Sequence, residues 1–236
     1  MTTQTLAALK KQIIAACLEM NASGLNQGTS GNISARTRDG FVITASGVPY
    51  DQMKPRHIVE MDLEGTYRGN FLPSSEWRMH MDIYAARPEA QAVVHTHSPH
   101  ATAISSLRRD VPAFHYMVAA AGGNSLRCAD YATFGTQQLS DNMLTALEGR
   151  SACLLANHGT ISFGPDLRKT FGLAVEVEAL CKQYAVACQT GKPTILDDSE
   201  MANVLERFKT YGKQPAATTA GEVSNSPAVF APVRRD

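Results

Sequence analysis

The feature that most restricts the fold of this chain is a short apolar run that ends in two histidines, His95 and His97. Ala92, Val93 and Val94 precede them, and small and β-branched residues in such a run favour a buried strand. Successive side chains of a strand point to opposite faces, so both imidazoles are expected on one face, about 6–7 Å apart along the strand. Two histidines placed in this way can share a divalent metal ion. The alternative is one structural histidine in the core and one at the surface.

Other parts of the chain supply candidates for further ligands. Pro99 is expected to end the strand, which leaves His100 without a fixed direction and makes it a poor third ligand. Glu76 lies upstream, and His158 lies downstream of a second small and apolar run at 152–155. Together with the two strand histidines they form a set of one oxygen and three nitrogens, which suits zinc best.

Length and charge limit the classes of protein to consider. At 236 residues the chain forms one or two domains with a sizeable core. Lys plus Arg and Asp plus Glu both number 22, so the zero net charge gives no electrostatic reason to expect a nucleic acid or an anionic membrane as partner. The chain has no run of 18 apolar residues and no signal-peptide core, so no membrane span is expected.

The five cysteines indicate a cytoplasmic protein. They are odd in number, scattered and free of a C-x-x-C spacing, so we interpret them as reduced thiols that lie mostly in the core. The cysteines are Cys17, Cys128, Cys153, Cys181 and Cys188.

Hydrophobic periodicity predicts an α/β domain. Helices are predicted over 4–20, 76–86, 101–107, 137–148, 166–189 and 199–211. Strands are predicted at 41–45, 59–63, 92–97, 152–156 and 160–163. Because the strands do not alternate strictly with helices, we expect one central, mainly antiparallel sheet with helices on both faces. The folded domain is expected over 1–213, and the Ala-, Thr-, Ser- and Pro-rich stretch 214–236 is expected to be a flexible tail.

Three polar loops could each bind an anion. The loop 28–36 contains two glycines with Thr, Ser and Asn, and Ser46 and Gly47 follow the strand at 41–45. Ser74 and Ser75 are placed to cap the helix that starts near residue 76, and a helix N-terminus attracts anions. Backbone N–H groups in such loops can converge on one phosphate. Ordinary turns are the alternative, and the spacing does not show whether the loops meet.

These residues stand in a pattern that resembles the class II aldolase/adducin family, over about residues 5–212. The resemblance rests on Gly28-Thr29-Ser30-Gly31-Asn32, Ile43-Thr44-Ala45-Ser46-Gly47, Pro73-Ser74-Ser75-Glu76, His95-Thr96-His97, the block from His115 to Asn124, the block from Tyr131 to Thr136, and Asn157-His158-Gly159. Each motif alone is weak, and together they are specific.

The resemblance implies a homotetrameric enzyme whose active sites lie between subunits. The implied reaction is cleavage of a small phosphorylated sugar, a ketose 1-phosphate, into dihydroxyacetone phosphate and a short aldehyde. By motif match, His95, His97 and His158 hold Zn²⁺, with Co²⁺ or Mn²⁺ as alternatives. Glu76 binds the metal at rest and acts as acid or base with substrate, and Tyr116 reaches the reacting hydroxyl at a neighbouring subunit's metal.

The resemblance also implies the remaining site residues. The phosphate is expected to bind Gly31, Asn32, Ser46, Gly47, Ser74 and Ser75. The aromatics expected to border the site are Phe134, Phe208 and Tyr211. Asn157 matches a position that varies in the family and receives no role.

Related activities remain as alternatives. Aldolases for 5-deoxy- or 5-methylthio-pentulose 1-phosphates differ only at the aldehyde end, which the sequence does not reveal. The family also contains decarboxylases and pentose-phosphate epimerases, and the epimerases usually carry Asp where Glu76 stands. Adducin head domains share the fold as assembly modules without catalysis, and they lack the histidine set that this chain has.

Overall fold

The computed structural model of the chain describes residues 5–210, which form one sheet flanked by helices. The helices are α1 (Leu6–Ala22), α2 (Trp77–Ala86), α3 (Pro99–Ser105), α4 (Gln137–Ala146), α5 (Leu167–Thr190) and α6 (Asp198–Phe208). The strands are β1 (Asn32–Thr37), β2 (Gly40–Thr44), β3 (Ile58–Met61), β4 (Tyr67–Arg68), β5 (Ala92–Thr96), β6 (Val111–Pro112), β7 (Ser125–Leu126), β8 (Cys128–Ala129), β9 (Ala152–Leu155) and β10 (Gly159–Gly164). The predicted tail at 214–236 and Tyr211 lie outside the described residues.

Eight strands form the central sheet in the order β4-β3-β2-β1-β5-β10-β9-β8. Each neighbouring pair is antiparallel except β8 and β9, which are parallel. The strands β6 and β7 form a separate two-stranded ribbon. The predicted α/β fold with a mainly antiparallel sheet is therefore confirmed, and the strand that carries His95 lies near the middle of the sheet.

The central strand β5 is buried on both faces, which explains its unbroken apolar run. Val93 packs in a core with side chains of α2 and α4, and Val94 packs in a second core with side chains of α1 and α5. Because side chains alternate along a strand, His95 shares the face of Val93 and points to the side of the sheet that α2 covers. A predicted core strand thus carries an imidazole toward the start of a helix.

Two helix starts differ from the sequence-based expectation. α3 begins at Pro99, because proline fits the first turn of a helix, where its missing N–H needs no partner. The N-cap of α2 is Glu76 rather than Ser74 or Ser75, and its side chain makes no cap hydrogen bond. The Ser74 hydroxyl accepts instead from the Glu76 backbone N–H at 3.3 Å. The Glu76 carboxylate is therefore free of the helix end and available elsewhere.

Short elements between the longer ones were not predicted. They are the 3₁₀ helices Tyr50–Gln52, Pro55–His57 and Tyr116–Ala121. All five cysteines lack a disulfide, as expected, with Cys17, Cys153 and Cys181 in the core. Within residues 5–210, no helix combines the length and hydrophobicity that crossing a membrane requires.

The backbone at Gly31 approaches the central strand closely. Its φ is +70°, in the left-handed region that favours glycine, and a Cβ there would lie 2.7 Å from the His95 carbonyl oxygen. Gly28 has a similar φ of +61°, but a Cβ added to it would meet no atom within 4 Å. Substitutions at the two positions therefore separate the energetic cost of the left-handed conformation from the cost of a clash with the His95 carbonyl.

We expect Gly31→Ala to destabilise the protein more than Gly28→Ala does. The left-handed conformation alone costs an alanine about 1–2 kcal/mol, and the contact with the His95 carbonyl should add at least about 1 kcal/mol at Gly31. Urea unfolding of both variants measures the difference. Equal losses of stability would show that the loop moves away from β5 without cost.

Candidate active site

Four side chains that the sequence places far apart converge at one end of β5. His95 lies in the strand, His97 follows its last residue, and His158 lies in the turn between β9 and β10. Glu76 comes from the N-cap of α2. One ligand atom from each residue lies within 4.8 Å of the others. The structure thus brings together the complete predicted ligand set.

The three imidazoles surround one point. Their ring centroids are 4.9, 4.8 and 4.8 Å apart, with interplanar angles of 79°, 74° and 73°. The Nε2 atoms of His95 and His97 are 3.0 Å apart. Glu76 Oε2 lies 3.1 Å from Nε2 of His95, and Glu76 Oε1 lies 2.8 Å from Nε2 of His158.

The hydrogen bonds of this cluster show which of its atoms keep a free lone pair. Nδ1 of His95 is 2.9 Å from the Thr160 carbonyl oxygen, which can only accept, so Nδ1 carries the proton. In the neutral ring, Nε2 of His95 then presents a lone pair toward Nε2 of His97 and toward Glu76. Glu76 Oε1 is buried and has no hydrogen bond of regular geometry. Lone pairs that face one another in this way fit a divalent cation between them.

The electrostatics favour positive charge at the same point. Burial alone would lower the pKa of His95, but the Glu76 carboxylate raises it. Burial alone would raise the pKa of Glu76, but His95 and His158 hold it well below its usual range. Burial, with His95 and His158 nearby, lowers the pKa of His97 to about 4, so this ring is neutral and able to bind metal at neutral pH.

A cleft of about 370 Å³ opens beside the cluster. Glu76, His97 and His158 form part of its wall, while His95 is fully buried behind them. All six residues predicted to bind phosphate also line this cleft: Gly31, Asn32, Ser46, Gly47, Ser74 and Ser75. The three polar loops therefore converge, which their spacing could not show. No Lys or Arg occurs among the described residues that line the cleft.

The loop that precedes β1 is held by side chains whose importance the sequence did not reveal. The Tyr50 hydroxyl is 2.9 Å from the Ser30 carbonyl oxygen and 2.8 Å from that of Gly31. Asn26 donates to the Ser30 carbonyl and accepts from the backbone N–H of His97 at 3.0 Å. Asn26 and Tyr50 thus tie the loop to the end of β5.

Asn32 differs from the other phosphate candidates. Its side chain is buried, its Nδ2 donates to Glu76 Oε2 at 2.9 Å, and its Oδ1 faces His80 Nε2 at 2.5 Å. Register explains this, because Asn32 is the cross-strand partner of His95 and shares its face of the sheet. One amide hydrogen remains for a ligand, so its contact with phosphate stays a prediction.

Of the aromatic candidates within the described residues, Phe134 lines the cleft, whereas Tyr116 and Phe208 do not. Phe134 lines the cleft and is 64% exposed. Tyr116 begins a 3₁₀ helix, is 46% exposed and does not line the cleft of its own chain. Phe208 packs against a small core that includes Ala113 and Ala119, which flank Tyr116 in sequence. Tyr211 lies outside the described residues.

Two residues of the cleft wall had no predicted role. Tyr131 lines the cleft and lies under the guanidinium of Arg108, with 5.4 Å from its ring centroid to Arg108 Cζ. Asn157 has a φ of +54°, a conformation that asparagine tolerates, and accepts from Arg108 Nε at 2.7 Å. Asn157 therefore shapes the turn that presents His158. His100 is not in the cluster, as expected, and pairs with Glu178 at 2.7 Å.

Comparison with known proteins agrees with this geometry. Residues 11–185 match the family described as "Class II Aldolase and Adducin N-terminal domain". This chain belongs to the class II aldolase/adducin family. The match covers the metal cluster, the three loops and Tyr116.

Relatives with assigned activities lie within this class II aldolase family. The chain is 52% identical over 205 residues to L-fuculose phosphate aldolase of Escherichia coli K12, covering 86% of this chain and 95% of that protein. It is 53% identical over 205 residues to the 5-methylthioribulose-1-phosphate/5-deoxyribulose-1-phosphate aldolase of Rhodospirillum rubrum. That match covers 87% of this chain and 93% of the R. rubrum protein. A solved structure of L-fuculose 1-phosphate aldolase, 39% identical, superposes with a TM-score of 0.83 over 88% of this chain and 98% of that one.

We expect the purified protein to bind about one divalent ion per chain, and His158→Ala to weaken that binding by more than about 100-fold. The expectation follows from the four converging ligand atoms, since even residues behind the ligands change metal affinity by about 10–100-fold. Titration of the apoprotein with Zn²⁺ measures both quantities. His100→Gln is the matched control because it removes a histidine outside the cluster. An unchanged affinity in His158→Ala would contradict the assignment.

Proposed function

We propose that this protein is a metal-dependent aldolase that cleaves a ketose 1-phosphate into dihydroxyacetone phosphate and a short aldehyde. The observation that carries the proposal is the position of the metal cluster, which adjoins three polar loops that can bind phosphate in the same cleft. Identity above 50% to two named aldolases supports this reaction over epimerisation, decarboxylation or a non-catalytic assembly role.

L-fuculose 1-phosphate, with lactaldehyde as the released aldehyde, is the first candidate substrate. The second is a 5-deoxy- or 5-methylthio-pentulose 1-phosphate, because the R. rubrum relative matches this chain as well as the E. coli enzyme does. Both substrates share the half of the molecule that becomes dihydroxyacetone phosphate. They differ only at the aldehyde end, so the same metal and phosphate sites serve either one.

We propose zinc as the resident metal, held by His95, His97, His158 and Glu76. Three imidazole nitrogens and one carboxylate oxygen form a set that zinc prefers, and Co²⁺ and Mn²⁺ are the alternatives. When bound, such an ion supplies Lewis-acid stabilisation of the charge that develops on the substrate as the bond between C3 and C4 breaks.

The proton steps belong to side chains of the protein. In the direction of synthesis, Glu76 takes the C3 proton of dihydroxyacetone phosphate, and Tyr116 gives a proton to the oxygen that forms at C4. Cleavage is the reverse, so one proton leaves the C4 hydroxyl and one returns to C3. A carboxylate suits the first role, and a phenol with a pKa near 10 suits the second.

The phosphate loops position the substrate. Ser46, Ser74 and Ser75 offer hydroxyl groups, and Gly31 and Gly47 allow the backbone to approach a ligand closely. Because the described lining contains no Lys or Arg, these loops fix the phosphate without a cation that would compete with the metal for the substrate's charge.

We propose a cytoplasmic homotetramer in which Tyr116 serves a neighbouring subunit. Its side chain is exposed and lies outside the cleft of its own chain, and Phe208 packs near the same 3₁₀ helix. These positions support an active site completed across a subunit interface. Five free thiols agree with a reducing compartment.

The proposal is tested by incubating the zinc-loaded enzyme with L-fuculose 1-phosphate, 5-deoxyribulose 1-phosphate and 5-methylthioribulose 1-phosphate. Dihydroxyacetone phosphate should appear from at least one of them, and prolonged chelation should abolish its formation until zinc is restored. Release of dihydroxyacetone phosphate at the full rate by verified metal-free protein would contradict the mechanism.

We expect mixed oligomers of Tyr116→Phe and His95→Ala subunits to recover activity that neither variant has alone. Some interfaces then pair an intact Tyr116 with an intact metal site. The measurement is the rate of dihydroxyacetone phosphate release after the two variants are unfolded together and reassembled. No recovery in oligomers shown to be mixed would place Tyr116 in its own subunit's site or outside catalysis.

A further inference from the structure

A row of buried polar side chains leads from Glu76 into the protein interior. His80 and Tyr84 follow Glu76 at intervals of four residues along α2, and Asn32 and Ser34 lie two residues apart on β1. Four residues of helix rise about 6 Å and two residues of strand advance about 6.6 Å, so the two rows stay in register. Helix and strand can therefore place alternate members of one continuous chain.

The contacts along this row are short. Asn32 Nδ2 lies 2.9 Å from Glu76 Oε2, and Asn32 Oδ1 lies 2.5 Å from His80 Nε2. His80 Nδ1 is 2.6 Å from the Ser34 hydroxyl, which is 2.8 Å from the Tyr84 hydroxyl. Asn32, Ser34, His80 and Tyr84 are each at most 2% exposed. Asn32 just reaches the wall of the cleft, and beyond it the row is sealed from solvent.

Chemistry fixes the direction of every hydrogen bond in the row. An ionised carboxylate only accepts, so the Asn32 amide group must turn its NH₂ toward Glu76 and its oxygen toward His80. That oxygen also only accepts, so His80 carries its proton on Nε2. Burial, with His95 nearby, lowers the pKa of His80 to about 3, so the ring is neutral and Nδ1 accepts from Ser34. Tyr84 then donates to Ser34.

This directed chain orients groups rather than conducting protons. A primary amide does not readily release one proton while accepting another, so Asn32 interrupts any proton path between His80 and Glu76. What the chain determines is how firmly the Asn32 NH₂ is held against the carboxylate, because His80 anchors the other end of the amide. At the far end, the Arg36 guanidinium lies over the Tyr84 ring, with 4.8 Å from Cζ to the ring centroid.

We propose that His80 is a positioning residue, which, held by Ser34 and Tyr84, locks the Asn32 amide with its NH₂ on the Glu76 carboxylate. Without the His80 donor, the Asn32 amide loses the anchor on its oxygen and can swing away from the position that holds its NH₂ on the carboxylate. Glu76 then loses the orientation that it needs as acid or base. The catalytic consequence rests on the proposed aldolase function, whereas the orientation itself does not.

Comparison of His80→Gln with His80→Leu tests the proposal. Glutamine can place an amide N–H near the position of Nε2 and keeps an acceptor for Ser34, whereas leucine offers neither. We expect His80→Leu to lower kcat between about 10- and 100-fold with KM nearly unchanged, and His80→Gln to restore most of the loss. Ile83→Val is the control, since it perturbs the buried core beside α2 but removes no hydrogen-bonding group of the row, and should leave kcat unchanged.

Two spectroscopic readouts decide the question independently of turnover. Nitrogen NMR of histidine-labelled protein should show His80 neutral with its proton on Nε2. The absorption bands of Co²⁺-loaded protein should change in His80→Leu and return in His80→Gln, because the Glu76 carboxylate moves in one variant only. If His80→Leu fails to fold, Ser34→Ala replaces it, since His80 then loses the hydroxyl that holds its Nδ1 side in place.

Several outcomes would overturn the proposal. They are a proton on Nδ1 of His80, wild-type kcat in metal-loaded His80→Leu, or equal impairment of His80→Gln and His80→Leu. A wild-type protein that cleaves no ketose 1-phosphate would refute the proposed function. In that case the histidine and cobalt spectra still decide whether His80 orients the site.

Discussion

Three imidazole nitrogens and one carboxylate converge on a single point, and the lone pairs that face one another there fit a divalent cation. His95 Nε2 faces His97 Nε2 at 3.0 Å and Glu76 Oε2 at 3.1 Å while its other nitrogen is bound to the Thr160 carbonyl. Much of the surrounding fold serves this geometry. The cores on the two faces of the sheet hold β5 in place, and the turn between β9 and β10 carries His158. Gly31 allows the loop before β1 to lie against the His95 carbonyl.

The two sides of the cleft differ in charge, which suits them to different parts of the proposed substrate. In the proposed reaction, the metal cluster concentrates positive charge where the carbon–carbon bond breaks, and the loops around Ser46 and Ser75 offer neutral donors to the phosphate. The wall near Tyr131 and Phe134 contributes neither a metal ligand nor a proposed phosphate donor. The proposed function leaves this wall for the aldehyde end of the substrate, where the two candidate activities differ.

Local patterns in the sequence were enough to predict an α/β fold with a mainly antiparallel sheet, the long helices and the four side chains that converge at the end of β5. Strand alternation placed His95 and His97 on one face, Glu76 and His158 stood as further candidates upstream and downstream, and the motif resemblance assigned all four to one metal. The predicted N-cap of α2 was wrong, because the choice between Ser74, Ser75 and Glu76 depends on what the Glu76 carboxylate contacts outside the helix. The bond from Asn32 to His80 joins residues 48 positions apart, so no local spacing could reveal it. Tyr116 stays a prediction because its expected partner is another subunit.

The most direct test of the account is the exchange of the C3 proton of dihydroxyacetone phosphate with solvent, measured in metal-loaded wild type and Glu76→Gln. This exchange is the proposed proton transfer observed without an aldehyde, and glutamine keeps the size of the side chain and one oxygen toward the metal. The account predicts exchange in the wild type and a rate at least about 100-fold lower in the variant with its metal still bound. Exchange at the wild-type rate in metal-loaded Glu76→Gln would show that Glu76 is only a ligand and that the base lies elsewhere.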